Sequence, residues 1–152
     1  MALSMLVLLV PIFVLLVGYR FVGGEKPVVV DPSSAYADAR AAKAFPVAEA
    51  PPPKGWQVAS AAFRLDGGGV LRIGLRGPDG QAVQVIEGGA DVGFVASELG
   101  DTRPAGVTVI GGRNWVRQVT ARNQPALVLS QPDRTIIVLG AGADAVAARL
   151  VP

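Results

Sequence analysis

The first 19 residues carry no charged side chain and are mostly Leu, Val, Ile, Phe and Met, which restricts the start of the chain to apolar surroundings. A hydrocarbon core about 30 Å thick is crossed by roughly 20 helical residues, and the stretch from Ala2 to Val22 is long enough. Arg20 alone interrupts it, near the end, where its long stem can snorkel to the interface beside Tyr19 and Phe21. Pro11 sits mid-run and predicts a kink, which spanning helices tolerate. Residues 1–22 are therefore expected to form one transmembrane helix and to partner the lipid bilayer. A cleaved signal peptide would need a basic start, which is missing here, and a soluble helix of this length would keep a polar face. Arg20 and Lys26 both lie after the span, so a literal positive-inside count places the rest of the chain in the cytoplasm.

Residues 23–54 read as a juxtamembrane connector. Asp31 and Pro32 pair an N-cap with a first-turn proline, and the alanine-rich residues 33–44 predict a short helix. Phe45 and Pro46 end it. Pro51, Pro52 and Pro53 then favour an extended polyproline spacer that holds the C-terminal domain off the membrane.

Residues 55–152, 98 positions, suit one domain with one core. Ala59, Ala61, Phe63 and Leu65 alternate with polar or small residues, as do Leu71, Ile73 and Leu75, which is the period of half-buried strands. A turn at Pro78-Asp79-Gly80 leads to a strand over 81–87, and Asp91 caps a short helix over 92–99, stopped by Gly100. After Pro104, strands at 107–110 and 113–120 flank Gly111-Gly112, a two-residue loop suited to a type I′ hairpin. Two more strands occupy 126–130 and 135–139. The last, Thr-Ile-Ile-Val-Leu, is apolar on both faces and belongs at the sheet centre, covered by a closing helix over 143–150. The expected fold is α+β: a mainly antiparallel sheet of about six or seven strands with two short helices on one face, preceded by the transmembrane helix. Residues 77–99 and 131–150 share Pro-Asp, a strand, and Gly-Ala-Asp opening a helix, a faint internal repeat.

The chemistry that the residue types allow is narrow. The chain has no cysteine and no histidine, which excludes disulfides, thiolate catalysis and Cys zinc sites and removes the commonest general base and metal ligand. Residues 55–152 hold nine Arg against eight Asp or Glu, so they carry no nucleic-acid footprint. The run from Gly140 to Ala145 matches the G-x-G-x-x-A dinucleotide fingerprint, but no acidic residue lies about 20 positions on, and Asp144 at the helix start would repel a pyrophosphate. Its glycines are expected to turn a strand tightly into a helix.

Glu87 with Asp91, and Glu98 with Asp101, are close in sequence, but at element ends they read as solvated acids or caps. Ser60, Ser97 and Ser130 lack a histidine, and Lys54 is a poor match for a Ser-Lys dyad. No catalytic, cofactor-binding or metal-ligating residue is therefore nominated, and the expectation is a protein that is not an enzyme. Arg72, Arg76, Arg113, Arg117 and Arg122 could converge on one surface for an anionic lipid headgroup or small molecule; otherwise they are a solvated strand face. Trp56 and Trp115 carry the largest apolar area and are expected to pack in the core or on the sheet.

The order of these pieces is specific: an apolar span with Pro11, YADARAAKAFPV, PPPKGW, GGRNW and the closing TIIVLGAGADAVAARL. Together they resemble an actinobacterial family of single-span membrane proteins that carries only a domain-of-unknown-function label. The resemblance implies an uncleaved anchor in the plasma membrane with the domain on the extracytoplasmic side, and no activity, cofactor or catalytic residue. This chain departs from that pattern in having no basic stretch before the span. The expectation is a membrane-anchored binding or assembly module, with an envelope or membrane protein as its partner.

Overall fold

The computed structural model describes residues 29–150. The expected transmembrane helix lies outside them; among the described residues no helix is long and apolar enough to cross a membrane. The architecture is one seven-stranded, fully antiparallel sheet in the order β1-β2-β3-β7-β6-β5-β4. The strands are β1 (Gln57–Arg64), β2 (Val70–Arg76), β3 (Ala82–Gly88), β4 (Thr102–Ile110), β5 (Arg113–Thr120), β6 (Pro125–Ser130) and β7 (Thr135–Leu139). The helices are α1 (Ser33–Ala42), α2 (Phe94–Leu99) and α3 (Ala143–Leu150).

The apolar Thr-Ile-Ile-Val-Leu strand, β7, does lie at the centre, between β3 and β6. Its side chains supply both faces: Ile136 and Val138 pack with α1 and α3, and Ile137 packs with α2. This corrects the expectation of two helices on one face. Helix α2 leaves β3 for one side of the sheet and α3 leaves β7 for the other, because Phe94 and Val146 each join the apolar residues nearest to them. No rotation then superposes β2–β3–α2 on β6–β7–α3, so the faint repeat is not a symmetric one.

The connector is also more than a spacer. Ala35, Tyr36 and Ala39 form the buried stripe of α1 and join the core of Leu71, Ile73 and Trp115, as does Phe45 just beyond the helix. Residues 29–54 thus pack on the same sheet as residues 55–150, and position 55 separates no packing unit. Asp31 accepts the Ser33 N–H at 2.9 Å, while the residue in the N-cap position is Pro32. The helix stops two residues early, at Ala42, where Lys43 turns left-handed.

Two strands differ from their sequence pattern for local reasons. In β1 the register shifts between Val58 and Ser60, so Ala59 is the extra residue of a bulge and the core-facing set becomes the buried Val58 with the half-buried Ala61 and Phe63; Leu65 falls outside the strand and is exposed. Strand β4 starts at Thr102, earlier than expected, and runs through Pro104 with a second bulge before Gly106. Proline is acceptable there because β4 is a sheet edge whose outward N–H positions need no partner. Both residues of the β4–β5 loop, Gly111 and Gly112, have positive φ, as a type I′ turn requires.

Candidate functional site

The face that carries α1 and α3 is incompletely filled. Between the two helices lies a cleft of about 370 Å³. Its floor is Val58, Ile73, Leu75 and Val85 from the first three strands, and Val146 and Leu150 of α3 form one wall. The inward positions of β1–β3 are aliphatic because alternate residues of a strand share a face. Opposite α3 stand Pro32 and Tyr36 at the start of α1.

A strap, residues 45–53, runs from the end of α1 back to β1, and its latter half, Glu49 to Pro53, borders the cleft. The polyproline segment expected to be a free spacer is therefore an edge of this hollow. Three contacts fix the strap. The Ala48 N–H donates to Glu87 Oε2 at 2.8 Å, and the Pro46 carbonyl accepts from Arg134 Nη1 at 3.2 Å. Glu49 pairs with Arg40 of α1.

Glu87 is the residue that sequence reasoning misplaces. Its position at a strand end suggests a solvated acid, yet it is 1 % exposed and sits in the transverse row between Leu71 and Ile136. The signal is present in the chain: Val83, Val85 and Glu87 alternate onto the same face. Burial pushes its pKa up to about 7, against the opposing pull of the Ala48 N–H and the Arg134 charge. Among the described residues its Oε1 has no hydrogen-bond partner. Tyr36 is raised as well, first by burial and then by the Glu87 charge, so its hydroxyl keeps its proton and stays a donor.

The polar groups bordering the cleft are few. Of the described residues that line it, Glu49 is the one acid and Arg149 the one base, and Tyr36 is the one that carries a hydroxyl. Sequence reasoning does not single out Tyr36 or Arg149; Tyr36 belongs to the apolar stripe of α1, and Arg149 looks like an ordinary basic residue in a last helical turn.

The five arginines considered for anion binding do not form one surface. Arg72 crosses to Glu98 of α2 at 2.7 Å, on one face of the sheet. Arg117 pairs with Asp144 at the start of α3, on the other. Arg76 and Arg122 meet at a shallow hollow of about 460 Å³ near the strand ends, and Arg113 is exposed beside the β4–β5 turn. Strand alternation divides them, since residues 72 and 76 point away from the face that residue 117 occupies.

Asp91, Ser97 and the Gly140 to Ala145 run have local structural roles. Asp91 accepts the Gly93 N–H at 2.9 Å, a turn cap just ahead of α2. Ser97 donates to the Phe94 carbonyl at 2.8 Å. The Gly140 to Ala145 run does make a tight strand-to-helix turn: Gly140 and Gly142 have positive φ, and a Cβ at Gly140 would lie 2.3 Å from the Ala82 carbonyl oxygen. At Gly142 a Cβ would lie 2.9 Å from the indole of Trp56, which packs here on the rim while Trp115 is wholly buried. Among the described residues no group of three or more acids could hold a metal ion.

The fold defines the protein as a single-sheet α+β domain with helices on both faces. The chain belongs to a family described as a protein of unknown function (DUF4245), whose family model matches residues 1–152. No curated protein and no solved structure matches the chain.

Proposed function

We propose that the protein is a non-catalytic binding module, anchored in a membrane through residues 1–22, whose working site is the apolar cleft between α1 and α3. The observation that carries this reading is the cleft itself: about 370 Å³, an aliphatic floor and, among the described residues, only three polar ones along its edge. That volume equals roughly a dozen liquid waters, and waters there would find few hydrogen-bond partners. Replacing them with an apolar ligand is favourable. Glu87, whose pKa near neutrality would suit proton transfer, does not line the cleft; it holds the strap. A chain without histidine or cysteine has little else with which to run acid, base or nucleophilic chemistry.

Pro32 lines the cleft and stands ten residues after Val22, where the expected span ends. An extended chain of that length covers about 35 Å at most. In this reading the cleft lies close to the membrane, on the extracytoplasmic side that the family resemblance implies, and takes an apolar molecule from it.

The test is native mass spectrometry of the full chain extracted from its own membranes in mild detergent. A bound small molecule of stoichiometric mass is expected, and it should be lost in Val146→Phe and Ala50→Trp, which fill the cleft from opposite sides. A chain that carries no such adduct, or one that both variants retain, refutes the reading.

One observation favours a second reading, docking of an envelope or membrane protein. Val107, Val109 and Val116 are 65, 67 and 41 % exposed and adjoin on the α2 face, where the short α2 leaves β4 and β5 uncovered. Crosslinking in cells from a photoreactive residue at position 109 would capture that partner, and silence there alongside a ligand-filled cleft would leave the first reading alone.

A further inference from the structure

The cleft has a chemical direction, and this inference rests on the reading of it as a ligand site. Its one lining acid, Glu49, is already paired with Arg40. Asp31, next to the lining Pro32, is engaged by the N–H and the hydroxyl of Ser33. The groups left to meet a ligand are donors: the protonated Tyr36 hydroxyl and the Arg149 guanidinium, which has no carboxylate partner among the described residues. Lys54 comes directly after the lining Pro53 and adds a second positive charge near the edge.

We infer that the cleft selects an amphiphile whose apolar chain lies on Ile73, Leu75 and Val146 and whose single anionic head, a carboxylate or a phosphate monoester, is held at the mouth by Arg149, with the buried Tyr36 as a neutral donor on the inner wall. A guanidinium presents a planar fork of donors that matches both head groups, and a neutral hydroxyl adds a donor without adding charge. Arg149 is exposed, so the head remains at the water boundary while the chain is buried. This division suits an amphiphile better than a compact, wholly apolar molecule, which would leave Arg149 and Tyr36 without a role. The anion reader is thus a residue of the closing helix and not the dispersed strand arginines.

The experiment is photocrosslinking of the full chain in lipid nanodiscs with three probes that share a diazirine-bearing decyl chain: a carboxylate, a phosphate monoester and an amide. Labelled peptides are mapped by mass spectrometry. At least one anionic probe should label the β2 and α3 peptides about five-fold more than the amide. Arg149→Gln should remove that preference, and Arg149→Lys should keep part of it for the phosphate, which tolerates a point charge. The ratio of carboxylate to phosphate labelling tells a fatty-acid type of ligand from a lipid-phosphate type. Equal labelling of the cleft by all three probes overturns the anionic head and leaves the cleft reading standing. Labelling confined to residues 1–22, or to peptides remote from the cleft, overturns both.

Discussion

Glu87 accepts the Ala48 N–H from inside the core, so a strand of the central sheet holds a strap 39 positions earlier in the chain. An ionised carboxylate at that depth has lost its water and recovers one backbone donor and the attraction of the Arg134 charge. The proton therefore binds more tightly to the folded protein than to the unfolded chain.

Stability should fall as pH rises across the Glu87 titration. The folded pKa is raised from 4.5 to about 7. The contribution is then fully present below about pH 4.5, is lost as pH rises to about 7, and is flat above; its size is about 3 kcal/mol at most. Urea melts between roughly pH 5 and pH 8 avoid the acid range where Asp31, shifted the opposite way, begins to titrate. Glu87→Gln should flatten the profile, matching the parent near the acid end and exceeding it by on the order of 1–3 kcal/mol at the alkaline end.

Gly140→Ala should destabilise the domain by roughly 2 kcal/mol or more, because the new methyl meets the Ala82 carbonyl and φ is +126°. Gly89→Ala, where a Cβ meets nothing within 4 Å, should be neutral or stabilising by up to about 1 kcal/mol. Thermal melts of the two variants provide the comparison.

The half-buried Arg72–Glu98 pair clamps α2 to the sheet, whereas Arg117–Asp144 is more exposed. Double-mutant cycles should give a coupling of about 1 kcal/mol for the first pair and less than about 0.5 kcal/mol for the second. Loss of Arg72 should also speed amide exchange in residues 94–99, since that short helix has few other ties.

Trp115→Ala should cost about 3–5 kcal/mol, because the indole is wholly enclosed beneath the strap face. Val109→Ala, on the opposite face of the neighbouring strand, should stay within about 0.5 kcal/mol. Denaturant midpoints at constant slope would check both.

Local pattern settled much of this protein. The alternation of Leu71, Ile73 and Leu75, the double-faced apolarity of residues 135–139 and the paired glycines at 111 and 112 specify strands, a central position and a hairpin from neighbours within a few residues. The absence of histidine and cysteine narrowed the chemistry in the same way. Where longer contacts compete, the sequence was silent. Nothing near Ala35, Tyr36 and Ala39 says that a helix read as a connector will close over β1 and β2, and nothing near α2 and α3 says that they take opposite faces. Those outcomes depend on which distant apolar surface remains open once the sheet has formed, a balance of buried area that no single segment carries. The cleft is of the same kind: its floor, wall and strap come from separate parts of the chain, and only their packing leaves the space between them and turns Glu87 from a strand-end acid into a buried one.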